Sequence, residues 1–232
     1  MWKYKILIFL VTFGFSVDLY AQRDLRSFEC ISKVSDKEAE ALMDQVQKKY
    51  TSINTVQAEF LQTSYLAAVD TAEGSSGQVW LVKPGKMKWH YDVPEEQTFL
   101  MVGETLYYHQ PLDNQVMIQN FKDAVLTDLP VAFLLGIGDL RKDFILQSAC
   151  RSSNGIVLKL KQAKQKSQDE LEGFSLLIDT TISFPSGAEI LHVGGNKTSI
   201  LLEKINLQEK IADSVFKAEF PKGTDINDMR NR

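Results

Sequence analysis

The chain has 232 residues, 44% of them hydrophobic and 24% charged, with a formal net charge of −4. This is the balance of an ordinary globular domain with a sizeable core, and it excludes a disordered or collagen-like chain. No basic stripe or cluster suited to neutralising phosphates is present, which removes nucleic acid from the expected partners.

The chain opens "MWKYKILIFLVTFGFSVDLYAQ": Lys3 and Lys5, an apolar run from Ile6 to Val17, Asp18, then Ala21 at a cleavage position. Residues 1–21 therefore read as a secretory signal peptide, because a run of about a dozen apolar residues falls short of the ~20 that cross a bilayer. The remaining 22–232 are expected to form one exported, soluble domain, since neither a linker nor an internal repeat interrupts them. Export permits a disulfide between the two cysteines, Cys30 and Cys150. A bridge would pin the polar N-terminal extension to the body; the alternative is two small buried hydrophobes that never meet.

Ser35 and Glu38 stand in capping-box spacing, and Ala39, Leu42, Met43, Val46 and Tyr50 follow at helical intervals. That predicts an amphipathic helix ending near Tyr50. From Val56 the period changes to two, with turn residues such as Pro84-Gly85, Asn154-Gly155 and Gly194-Gly195 between short runs. Strands are expected near 56–65, 76–83, 86–92, 97–102, 105–110, 115–120, 143–149, 155–161, 173–179, 187–193, 198–206 and 215–220. Residues 123–138 are apolar, carry Pro130 and end in glycines, and are read as one or two short helices inserted between the halves of the sheet. The architecture that follows is mainly β with helices (α+β): a long antiparallel sheet that curls and needs a cover on its concave side.

Catalysis would leave a nucleophile, a base and a stabilising group together, and no such set is visible. The three histidines, His90, His109 and His192, have no metal-binding spacing. His90 shares the lysine side of its strand and is expected to be solvent-exposed, while His109 is expected at a polar strand end. Neither "GFS" at 14–16, in the signal, nor any later serine stands in a G-x-S-x-G elbow, and "GIGDL" at 136–140 lacks a phosphate-loop continuation. The expectation is therefore a non-enzymatic protein with neither cofactor nor metal. In the stretch "VWLVKPGKMKWHYDVPEEQ", Val79 and Leu81 share one strand face, and Met87, Trp89 and Tyr91 share one face of the next. Periodicity alone makes these faces core.

The longer stretch "VWLVKPGKMKWHYDVPEEQTFLMVGETLYYHQPLDNQVMIQNF" resembles the periplasmic outer-membrane lipoprotein carrier family of the LolA type. The features that carry the resemblance are Trp80, Lys83 and Pro84 as W-x-x-[KR]-P, Trp89 six residues after the lysine, Pro94, Gly103 with Leu106, Tyr107 and Tyr108, and Pro130 before Leu134 and Leu135. "AEFLQ" at 58–62 and "VFKAEFPKGTDI" at 215–226 match as well. The resemblance implies an unclosed, strongly curved antiparallel β-barrel with a helical lid over an apolar cavity that holds lipoprotein acyl chains in the periplasm. It places Met87 and Trp89 on the cavity wall; Phe60, Val79, Leu81, Tyr91, Phe99 and Met101 are further wall candidates, and Leu129, Phe133 and Leu134 lid candidates. Lys83 falls at the basic position that governs lid opening in the family, although lysine lacks the planar fork of the arginine found there. The implied partners are acylated lipoproteins, an inner-membrane ABC-type release complex and an outer-membrane acceptor, with the carrier acting as a monomer. Two rival readings keep the fold: a carrier of another acylated or polyene lipid, and a lipid-sensing domain that contacts envelope proteins through an exposed sheet edge.

Overall fold

Ser35 starts the first helix as the sequence predicts: its Oγ accepts a hydrogen bond from the Glu38 amide at 3.3 Å. The computed structural model describes residues 26–121, 139–163 and 171–230. In chain order the elements are strand β1 (Ser32–Lys33), helix α1 (Asp36–Ser52), β2 (Thr55–Leu66), β3 (Thr71–Val82), β4 (Lys86–Val93), β5 (Gln97–Val102), β6 (Thr105–Gln110) and β7 (Gln115–Asn120). They continue with a four-residue helix α2 (Leu140–Asp143), β8 (Phe144–Ser152), β9 (Gly155–Gln162), β10 (Leu171–Asp179), β11 (Phe184–His192), β12 (Lys197–Asn206) and β13 (Asp225–Asp228). The expected signal peptide and the expected helices at 123–138 lie outside the described residues.

Among the described residues, thirteen strands form one sheet in the order β1-β8-β9-β10-β11-β12-β2-β3-β4-β5-β6-β7-β13. Its two ends, β1 and β13, do not meet, so the curved sheet is unclosed. Short turns make sequential strands antiparallel neighbours. The join between halves is β12 against β2, from Lys197 opposite Tyr65 to Asn206 opposite Gln57.

Period two sends alternate side chains to opposite faces, and the apolar set goes to the face that α1 covers, called here the inner face. Ala39, Leu42, Met43, Val46 and Tyr50 of α1 are buried in one continuous cluster with Phe60, Val79, Leu81, Met87, Trp89, Leu158, Leu176 and Ile200. Tyr50 stacks on Phe184 of β11 with ring centroids 5.7 Å apart. Helix α2 is tied to α1 by Arg141, which pairs with Glu40 and, at 2.7 Å, donates from Nε to Asp44. The Gln47 side chain also accepts from the Leu140 amide at 2.8 Å.

Segments around Phe28 and around Phe216 to Phe220 lie against the outer face. Near the start, Phe28 packs with Cys150, Val157, Leu177 and Leu201 in a second, smaller cluster. Cys30 and Cys150 are joined by a disulfide that closes a separation of 120 residues, with Cα atoms 5.4 Å apart. Loop-closure entropy for so long a loop has an upper value of about 5 kcal/mol, and bridges typically deliver about 2 to 4 kcal/mol, which is the loss expected on replacing both cysteines by serine. Urea unfolding of C30S/C150S measures this, and an unchanged midpoint would show that the bridge contributes nothing.

At the other end the expected strand at 215–220 is not formed. Asp213–Phe216 is a 3-10 turn, Lys217 after it is extended, and residues 217–224 join no ladder. Phe216 is buried, and Phe220 lies 5.2 Å from the His109 ring and 6.0 Å from Tyr107. Alternation of Phe216, Ala218 and Phe220 looks the same whether an extended segment joins a sheet or lies across its face. The strand that does form, β13, pairs in parallel with β7, Asp225 opposite Gln115.

Candidate functional site

Four adjacent strands bring the expected wall residues into cross-strand rows. Val79 of β3 lies opposite Trp89 of β4, Trp89 opposite Phe99 of β5, and Phe99 opposite Tyr108 of β6. In the next row Leu81, Met87, Met101 and Leu106 face one another in turn. Phe60 of β2 pairs with Gly77, which pairs with Tyr91. Directly opposite residues share a face and touch, so the rows are continuous strips of side chain. Phe60, Val79, Leu81, Met87, Trp89 and Met101 are buried in the main cluster; Tyr91 and Phe99 are partly buried and packed against it. All eight residues named from the sequence therefore converge on one apolar face.

Aromatic rings run across this face. Phe60 lies 4.7 Å from Trp89 and 4.9 Å, edge-on, from Tyr91. Phe99 stacks on Tyr108 at 4.3 Å, with 8° between the ring planes. Such contacts make a large apolar surface from few rotatable bonds. Met87 and Met101 add adaptable side chains to the same surface.

Polar groups that the strand pattern did not single out are set into this apolar face. The Tyr91 hydroxyl donates to Gln62 Oε1 at 2.9 Å, and the Tyr108 hydroxyl to Gln97 Oε1 at 2.7 Å. Both glutamines stand in the apolar phase of their strands, Gln62 after Val56, Ala58 and Phe60, and Gln97 before Phe99 and Met101. A break of phase of this kind is the signal that could have exposed them.

Burial pushes the Tyr91 hydroxyl up to about 12, tempered by the nearby Trp89 indole N–H and reinforced by Tyr108. A phenol whose folded-state pKa is raised keeps its proton longer than in the unfolded chain, so stability present below pH 10 is lost as pH rises towards 12. The loss amounts to about 2 to 3 kcal/mol, at roughly 1.4 kcal/mol per unit. Tyr91→Phe is expected to remove one proton equivalent from the slope of unfolding free energy against pH in that window, measured by urea titrations between pH 9.5 and 12. An unaltered slope would mean that Tyr91 titrates as an exposed phenol.

Lys83 sits at the turn after β3, and its Nζ donates to the Tyr50 carbonyl at 2.5 Å while lying 4.0 Å over the Tyr50 ring. Its backbone amide also donates to the Asn54 carbonyl at 2.8 Å. A cation on the last turn complements the helix dipole, and burial lowers the pKa of this amine. The described partner of the expected gating lysine is thus the C-terminal end of α1. Leu129, Phe133 and Leu134 lie outside the described residues.

His90 is not free in solvent as expected. Its Nδ1 is 2.8 Å from Thr98 Oγ1, and its Nε2 is 3.3 Å from Asp92. Pairing of β4 with β5 sets Thr98 directly opposite His90, a neighbour that strand phase alone does not specify. Among the described residues, no group of His, Cys, Asp and Glu is arranged to hold a metal, and no helix is long and apolar enough to cross a membrane.

Comparison with known proteins converges on one family. Residues 51–219 match the family model described as outer membrane lipoprotein carrier protein LolA. The outer-membrane lipoprotein carrier protein of Cupriavidus taiwanensis is 29% identical over 193 residues, which cover 80% of this chain and 87% of that one. The protein of the same name from Azotobacter vinelandii is 26% identical over 226 residues, covering 95% and 96%. In fold, an uncharacterized conserved protein from Thermus thermophilus superposes with a TM-score of 0.55 at 15% identity, over 82% of this chain and 99% of that one. With a family model spanning well over half its length, the chain belongs to the outer membrane lipoprotein carrier family.

Proposed function

We propose that this protein is a non-enzymatic carrier that shields lipoprotein acyl chains against its inner sheet face and moves them through the periplasm from inner to outer membrane. The observation that carries the reading is the convergence of Phe60, Val79, Leu81, Met87, Trp89, Tyr91, Phe99 and Met101 on one apolar face in a member of the carrier family. Transfer of a methylene out of water is worth about 0.8 kcal/mol, so one chain of roughly fifteen methylenes requires a surface offering on the order of 12 kcal/mol. Aromatic rows and two methionines supply surface of that kind and repack around flexible chains.

In this reading residues 1–21 direct export and are removed, and residues 22–232 act as one soluble domain. Helix α1, with Leu129, Phe133 and Leu134, forms the lid over an apolar cavity. Lys83, bonded to the end of α1, is the latch: releasing one hydrogen bond frees the helix end without exposing a buried carboxylate. An inner-membrane ABC-type release complex loads the cargo, and an outer-membrane acceptor with a deeper or drier site takes it, since exchange between carriers follows differential affinity.

The experiment is release of newly synthesised lipoprotein from spheroplasts of the native host. Added purified 22–232 should bring lipoprotein into the soluble fraction as a complex. Lipoprotein that stays on the spheroplasts, while the added protein remains folded and alone, would overturn the proposal.

A further inference from the structure

Among the described residues, only Trp89 Nε1 and Ser199 Oγ are buried side-chain polar atoms without a hydrogen-bond partner. Ser199 is on β12, in the opposite phase from Ile200 of the main cluster. Trp89 is in the middle of the aromatic wall, 7% exposed. The neighbouring hydroxyls give their protons to glutamines, Tyr91 to Gln62 and Tyr108 to Gln97, and keep their acceptor lone pairs. The Tyr91 hydroxyl is near enough to feel the indole N–H, yet the two do not reach hydrogen-bond geometry.

A buried N–H without an acceptor is destabilising, and phenylalanine would occupy such a wall without that cost. The arrangement is explained if the acceptor arrives with the ligand. Acyl chains are apolar except at one point, the carbonyl of the ester or amide that joins them to the rest of the molecule. We propose that Trp89 Nε1–H donates to that carbonyl oxygen and so sets how far an acyl chain enters the wall and distinguishes acyl from plain alkyl cargo. Phe60 at 4.7 Å fixes the indole plane, which leaves the N–H direction as the feature a ligand must match. The inference rests on the carrier reading above.

The test compares two synthetic lipopeptides with chains of equal length, one ester-linked and one ether-linked, the ether lacking the carbonyl. The wild-type protein should bind the ester form about tenfold more tightly, the scale of one net hydrogen bond in a dry site, and Trp89→Phe should bind both as weakly as the ether. In wild-type protein the indole N–H resonance of Trp89, assigned by its loss in Trp89→Phe, should move downfield with the ester probe and not with the ether. An ester preference retained in Trp89→Phe, or an indole resonance that responds equally to both probes, would overturn the proposal while leaving the carrier reading intact. Failure of both probes to bind would overturn the carrier reading and this inference with it.

Discussion

Gly77→Ala is expected to cost more than about 4 kcal/mol of stability, in the range reserved for steric collisions that cannot relax. Elsewhere in a strand the same change is favourable by roughly 0.5 to 1 kcal/mol, because glycine loses more freedom on folding than alanine. Here a Cβ would sit 1.9 Å from the His90 carbonyl oxygen and 2.9 Å from Tyr91 Cα. Both obstacles are backbone, so no rotamer change relieves the clash. A register irregularity between Ser76 and Gly77 brings β4 this close, and the same approach sets Tyr91 beside Phe60. Relief requires β3 and β4 to part, which dismantles the row that holds Trp89 and Tyr91. Urea unfolding of G77A provides the measurement; a midpoint within error of wild type would show that the two strands are not so tightly apposed.

Met87→Glu is expected to remove acyl-chain binding, by at least about a hundredfold, and to destabilise the protein by about 3 to 5 kcal/mol at neutral pH, the scale of an uncompensated buried charge. Met87 is 4% exposed and lies in the row with Leu81, Met101 and Leu106, none of which can pair with a carboxylate. The introduced carboxyl should bind its proton well above the ordinary glutamate range. Its raised folded-state pKa means that the variant recovers stability as pH falls through that value and loses it as pH rises. Lys159→Glu is the control, an exposed position on β9 in the opposite phase from Leu158 and Leu160 of the core. Lys86, next in sequence to Met87, is unsuitable because it pairs with Asp213 at 2.7 Å and lies 6.0 Å over the Phe216 ring. Equal lipid binding by M87E and K159E would place the acyl chains away from this face.

Strand positions were legible because alternation is local. The runs at 97–102, 105–110 and 115–120 fall where the sequence places them, and the Ser35 cap and the α1 stripe follow from spacing within a single turn. The residues of the inner apolar face were legible as one-sided apolar phases, and the spacing of Trp80, Lys83, Pro84 and Trp89 pointed to the family. What remained hidden depends on distant partners. Nothing in residues 55–66 or 197–206 announces that β2 and β12 pair, and nothing in "VFKAEF" separates a strand from a strap across the outer face. The Tyr50 carbonyl that receives Lys83 belongs to a helix 33 residues earlier in the chain. Gly77 looks like any strand glycine until the backbone of β4 is set against it.

Equilibrium binding of a diacylated lipopeptide to residues 22–232, with the deacylated peptide alongside, tests most directly whether the inner face takes acyl chains. Saturable binding of the acylated peptide is expected, competed by a second acylated peptide of unrelated sequence and absent for the deacylated form. Equal binding of acylated and deacylated peptides, or no binding of either by folded protein, would contradict it.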